Sequence, residues 1–308
     1  MRGNVLKESS HRIKLKESLD FTESESDQIS DELRKNGICV IENYLDPDAT
    51  DDLLSLANKQ LEPSCNAGYA SHARIEPRIS SHSIEFHHPF LVSKTATLAA
   101  VNPSLIKIVE KYLGSQAVIH SSLFQKTIPV SDQPAIDWHI DCGSNKSLNK
   151  DQKFPDRRLR SIIYLMDVKD GGLGYIMDSR SALNDFIRLP PGALFPVEKI
   201  PVEECRRVEV LAPKGTLILF DTHGLHRPSP LRNTRTVLNT WYCKHDFPAL
   251  LPPILIDLSN IPEPLHDMLY LCKRYPNFSG KICNSQKSMK EYFDKASKWL
   301  RKLSNTLA

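Results

Sequence analysis

The chain has 308 residues, enough for one large domain or two small ones. Its apolar fraction of 40% and charged fraction of 25% are those of a globular protein and exclude a low-complexity or fibrous chain. A net charge of +3 is too small to argue for nucleic acid, and seven widely spaced cysteines without a Cys-x-x-Cys pair suit free thiols better than a disulfide framework or a zinc cluster.

Residues 1–26 are charged and Ser-rich, lack the apolar core of a secretory signal, and are expected to form a flexible N-terminal segment. Ile29 and Leu33 at helical spacing predict a short helix over 27–35, ended by Asn36-Gly37. The β-branched run Ile38–Glu42 reads as a strand. Asp46-Pro47 then opens a helix whose Leu53, Leu54, Ala57 and Leu61 form a buried face. Residues 62–88 are irregular and rich in His and Arg (His72, Arg74, Arg78, His82, His87, His88), either a lid over a pocket or a solvated loop. Asn102-Pro103 caps a helix over 104–113 that stops at Gly114. Ala117–Ile128 alternates as one strand or two and carries Gln125. No run approaches the roughly 18 apolar residues of a membrane span, so a cytoplasmic protein is the default expectation.

Trp138-His139-Ile140-Asp141 reads as a strand that puts His139 and Asp141 on one face and Ile140 on the other. One imidazole and one carboxylate make two corners of a metal site. A second histidine from elsewhere would complete the two-His-one-carboxylate triad that suits Fe(II) and leaves positions open. The insert over 142–160 is basic, which fits either a substrate with an anionic group or a solvated loop. Ser161–Val168 is a predicted strand, Asp170-Gly171-Gly172 a turn, and Val208–Leu211 and Gly215–Phe220 two further strands. A polar turn then leads through His223 and His226 into a Pro-rich loop, and Thr236–Tyr242 forms the next strand. Residues 246–308 are Pro-rich and then helical. Their last helix, over 288–303, is basic on one face and apolar on the other, which fits packing on the same domain or a dimer contact.

The His139-x-Asp141 pair, the Gly215-led strand running to Gly224-Leu225-His226-Arg227, and an arginine opening the next strand resemble the phytanoyl-CoA dioxygenase-like family of Fe(II)/2-oxoglutarate oxygenases over about residues 37–242. The resemblance implies a mostly β chain with flanking helices, built on a double-stranded β-helix or jelly-roll core. It implies His139, Asp141 and His226 as iron ligands, with His223 the competitor for the third place. It implies Arg235, nine residues beyond His226, as the group for the far carboxylate of 2-oxoglutarate, with Arg232 its competitor. Gln125 either borders that pocket or is a surface strand residue. Tyr164 either hydrogen-bonds 2-oxoglutarate or is a core tyrosine. The implied reaction consumes O2, turns 2-oxoglutarate into succinate and CO2, and hydroxylates an unactivated C–H of a small organic substrate. The metal carboxylate Asp141 speaks against related halogenases, which carry a small residue there. A cupin-like metal enzyme without 2-oxoglutarate, or a non-catalytic jelly-roll binding protein, are the alternatives. The expected organisation is a segment over 1–26, an oxygenase domain over 27–245 and a helical extension over 246–308. No nucleic acid partner is expected, and the chain would be a monomer or homodimer.

Overall fold

The computed structural model describes residues 11–15, 19–62, 78–79, 83–86, 89, 93–129, 138–141, 158–179 and 206–244. The expectations for His72, Arg74, His82, His87 and His88, for most of the basic insert and for the C-terminal helix fall outside the described residues.

Among the described residues, eight strands form one sheet in the order β1-β2-β9-β6-β11-β5-β4-β3. They are β1 (Arg12–Lys14), β2 (Ile38–Glu42), β3 (Arg78–Ile79), β4 (Ser83–Phe86), β5 (Ala117–Thr127), β6 (Leu159–Tyr164), β9 (Leu217–Asp221) and β11 (Arg235–Lys244). A second sheet, β10-β7-β8, is built from β10 (His226–Pro228), β7 (Val168–Met177) and β8 (Arg206–Ala212). All pairings except β1 with β2 are antiparallel. The result is a jelly roll of the double-stranded β-helix type, as expected.

Strand parity sorts the core into two layers. Leu217, Leu219, Ile163, Leu238 and Tyr242 point outward, against the helices α1 (Glu23–Asn36), α2 (Pro47–Leu61), α3 (Lys94–Val101) and α4 (Pro103–Leu113). Ile38, Val40, Ile162, Tyr164, Ile218, Phe220 and Val237 point inward, to meet Leu173, Tyr175, Met177 and Val210 of the small sheet. Strand β9 is buried on both sides, which is why it reads as the unbroken run Leu217-Ile218-Leu219-Phe220.

Local chemistry accounts for the helix ends. Asp46 accepts from the Ala49 amide, and Asn102 from those of Ser104 and Leu105. Helix α1 starts four residues earlier than expected because Thr22 and Glu25 form a capping box. It stops where Gly37 turns left-handed at φ 76°. Part of the N-terminal segment also departs from the flexible expectation. Residues 12–14 pair with 40–42 as an edge strand, and Arg12 holds Glu42 at 3.0 Å. The expected strand over 161–168 ends at Tyr164. Asp170-Gly171-Gly172 is no turn between strands but a bulge inside β7, where the register jumps between Val168 and Leu173.

Candidate metal centre

Residues 138–141 run along the free side of β10. The match is narrower than a strand. His139 and His226 exchange N–H···O bonds of 3.0 Å each way, and the Asp141 amide donates to Thr222 O at 2.9 Å. Trp138 and Ile140 turn into the core, so His139 and Asp141 share the opposite face.

His226 opens β10 at the end of a turn that is pinned from several sides. The Leu225 amide donates to Ser179 Oγ at 2.8 Å, and the Gly224 amide to Asp221 O at 3.0 Å. A Cβ on Gly224 would run into the Tyr175 hydroxyl, which itself donates to Asp221 O. Only glycine lets the turn lie this close to β7.

The ring nitrogens and carboxylate oxygens of His139, Asp141 and His226 come within 4.8 Å of one another and could hold a metal ion. Asp141 Oδ1 lies 3.8 Å from His139 Nε2, and Oδ2 3.7 Å from His226 Nε2. These separations are too long for hydrogen bonds and suit atoms that share a central ion. The His226 tautomer follows from its partner: Gly224 O can only accept, so Nδ1 donates to it at 2.9 Å. Nε2 then carries the lone pair, and it is buried with no hydrogen-bond partner. A buried nitrogen left unused in this way fits a metal ligand. Burial alone would raise the Asp141 carboxyl, but the positive charge around it, that of either histidine when protonated and of Arg160 always, holds it well below the usual carboxylate range. It is therefore ionised, as a ligand must be.

His223, the competitor, faces another way. Its amide and Nδ1 both meet Asp221 Oδ1, at 2.9 and 3.2 Å, and Tyr112 Oη of α4 donates to Asp221 Oδ2 at 2.6 Å. Burial would raise the Asp221 carboxyl, but the hydrogen bonds from His223 and Tyr112 pull it down instead. His223 thus belongs to a buried structural link between the turn and the helical layer.

Arg235 is mostly buried at the start of β11, where Nη1 donates to Gly171 O, and its Nε is buried without a hydrogen-bond partner. It also lines a cleft of about 490 Å³ with Leu165, Lys169 and Lys214 at that end of the sheet. Its competitor Arg232 lies in the preceding loop, where its amide donates to Asp170. Gln125 faces inward on β5, between Glu85, which accepts from its Nε2 at 3.1 Å, and Asn239, whose Nδ2 donates to its Oε1 at 2.7 Å. Tyr164 differs from the ligand expectation. Its hydroxyl proton goes to Val210 O at 2.9 Å and its oxygen accepts from the Leu173 amide at 3.1 Å. The phenol therefore ties the two sheets together beside Arg235, and burial pushes its pKa up.

One contributor was missed. Arg160 closes the basic insert in sequence, yet it lies on β6 with Ile162 and Tyr164, on the inner face. Nη1 stands 3.8 Å from Asp141 Oδ2. Its guanidinium stacks over Trp241 at 4.1 Å, with Phe220 at 5.8 Å. Its alternation with Ile162 and Tyr164 was the available signal.

The sequence matches no protein-family model and no curated protein. The fold is nevertheless shared with solved enzymes. The epimerase SnoN, in a complex with Fe3+, alpha ketoglutarate (2-oxoglutarate) and nogalamycin RO, aligns over 73% of this chain and 85% of its own, at 14% identity and a TM-score of 0.51. The alpha ketoglutarate dependent carbocyclase SnoK from nogalamycin biosynthesis covers 74% and 86% at 14% identity and a TM-score of 0.51. HygX from Streptomyces hygroscopicus, with nickel and 2-oxoglutarate bound, covers 75% and 90% at 12% identity and a TM-score of 0.50. At such identities the likeness is one of fold. No helix among the described residues is long and apolar enough to cross a membrane.

Proposed function

We propose that this chain is an Fe(II)/2-oxoglutarate-dependent oxygenase of the phytanoyl-CoA dioxygenase-like kind, acting on an unactivated C–H of a small organic molecule. The observation that carries the reading is the convergence of His139, Asp141 and His226 around a point faced by a buried, unused imidazole nitrogen. Two imidazoles and one carboxylate leave half of an octahedral ion free for a chelating co-substrate and oxygen. Arg235 holds the far carboxylate of 2-oxoglutarate by a charge-assisted pair, trading its bond to the Gly171 carbonyl for one to an anion. Gln125, on the same inner face, borders the pocket. Tyr164 keeps the sheets in register beside it.

With both bound, iron and 2-oxoglutarate supply an oxidant for C–H bonds, with succinate and CO2 as by-products. The protein's share is orientation and exclusion of water. Hydroxylation is the simplest outcome. The epimerase and carbocyclase named above show that other outcomes are reached from the same fold.

The test is anaerobic addition of Fe(II) and 2-oxoglutarate, watching for their weak visible charge-transfer band. The band is expected in wild type, absent in His226→Ala, and shifted to much higher 2-oxoglutarate concentration in Arg235→Ala. Iron binding without a band at any 2-oxoglutarate concentration would remove the co-substrate from the reading.

A further inference from the structure

We propose that Arg160 is a second anion anchor, which grips the carboxylate that a 2-oxo dicarboxylate places beside the metal while Arg235 grips the other end. The inference rests on the reading of the site above and adds a residue to it.

Three observations point to Arg160. It is aimed at the centre: its Nη1 and the His226 Nε2 approach the same oxygen, Asp141 Oδ2, at 3.8 and 3.7 Å. That is too far for a hydrogen bond to Asp141, and Arg160 Nε is buried with no hydrogen-bond partner. A mostly buried guanidinium, 4.1 Å over the Trp241 ring, thus brings Nη1 toward the metal point while Nε has no hydrogen-bond partner.

The local charge agrees. Arg160 and Arg235 disfavour each other's charge, and Asp141 and Glu85 offset them, so a divalent metal added at this point would favour an anion between the arginines.

The two arginines share one inward face. Arg160 pairs with Trp241, six residues beyond Arg235 on β11, and both project inward, so an anion lying between them would meet one at each end. Arg160 takes the near carboxylate because it is the one beside Asp141.

The test uses the full chain loaded with Mn(II), which binds without turnover, and calorimetric titration with 2-oxoglutarate and with pyruvate, which has only the near carboxylate. Arg160→Met keeps the stem on Trp241 and removes the fork. It is expected to weaken both acids alike, by about tenfold or more, with Mn(II) affinity within about threefold of wild type. Arg235→Met is expected to weaken 2-oxoglutarate alone. Three results would overturn the proposal: Arg160→Met binds both acids as wild type does, it loses 2-oxoglutarate but keeps pyruvate, or it loses Mn(II) as well, which would make Arg160 a support for Asp141. Should Arg160→Met not fold, Arg160→Lys decides: an intermediate loss shared by both acids supports the clamp, and unchanged affinity sinks it. Wild-type protein that takes up no Mn(II) or no 2-oxoglutarate defeats the reading of the whole site. Wild-type binding with an unaffected Arg160→Met defeats this inference alone.

Discussion

The two faces of the eight-stranded sheet are made by the same strands and have opposite characters. On β11, Leu238 and Tyr242 face the helices in an apolar layer, while Arg235, Asn239 and Trp241, one residue out of step, face the barrel interior. On β6, Ile163 looks outward and Arg160 inward. Alternation along a strand thus separates what holds the molecule together from what would meet a ligand. Substitutions on the two faces should have different consequences.

The largest break of that separation should come at His226. His226→Ala is expected to lower metal affinity beyond about a hundredfold while the metal-free protein melts within a few degrees of wild type, read by calorimetry and thermal circular dichroism. The outer face should behave the opposite way. Leu238→Ala leaves a hole in the helix-facing layer and should cost about 2–5 kcal/mol in urea unfolding, with metal affinity retained.

A smaller effect belongs to the edge of the sheet. Burial, helped by Arg12, lowers the His11 pKa from 6.5 to about 4. The unfolded chain therefore takes up a proton below pH 6.5 that the folded chain refuses until about pH 4. The stability in question is complete above the unfolded value and is lost as pH falls toward the folded one, by up to about 3 kcal/mol. Denaturant titrations across this window should show that slope in wild type and a flatter one in His11→Gln. The smallest effect sharpens the comparison. Gly224→Ala pushes the His226 turn away from Tyr175 and should weaken metal binding by about tenfold without touching a ligand. Tyr175→Phe in the same background should recover part of that loss.

How legible this was in the sequence depended on how local the cause is. Asp46, Asn102 and Gly37 mark helix ends through their own side chains or φ, and they stand where they were expected. The His139 and Asp141 parity needs only two neighbouring residues. Strand β1 was not legible, because three residues pairing in parallel with β2 leave no periodic trace. The bulge in β7 is not legible, because an Asp-Gly-Gly run serves a turn and a bulge equally well. Arg160 is masked in the sequence by Arg157 and Arg158, whose run fits a solvated loop, and only its step with Ile162 and Tyr164 sets it apart. The choice between His223 and His226 turns on distant partners, because Asp221, itself held by Tyr112 of α4, engages the first.

The bridge between His139 and His226 also bears on how the fold closes. Among the described residues, two segments about ninety residues apart meet through that residue pair, the Asp141 amide bond and the Arg227 guanidinium over Trp138. Such a seam opens more readily than a ladder of many bonds, so its amide protons should exchange with solvent early. An ion ligated from both sides would act as a clasp on this long loop, and binding it would slow exchange at His139, Asp141 and His226 together while leaving the β5–β11 ladder unchanged.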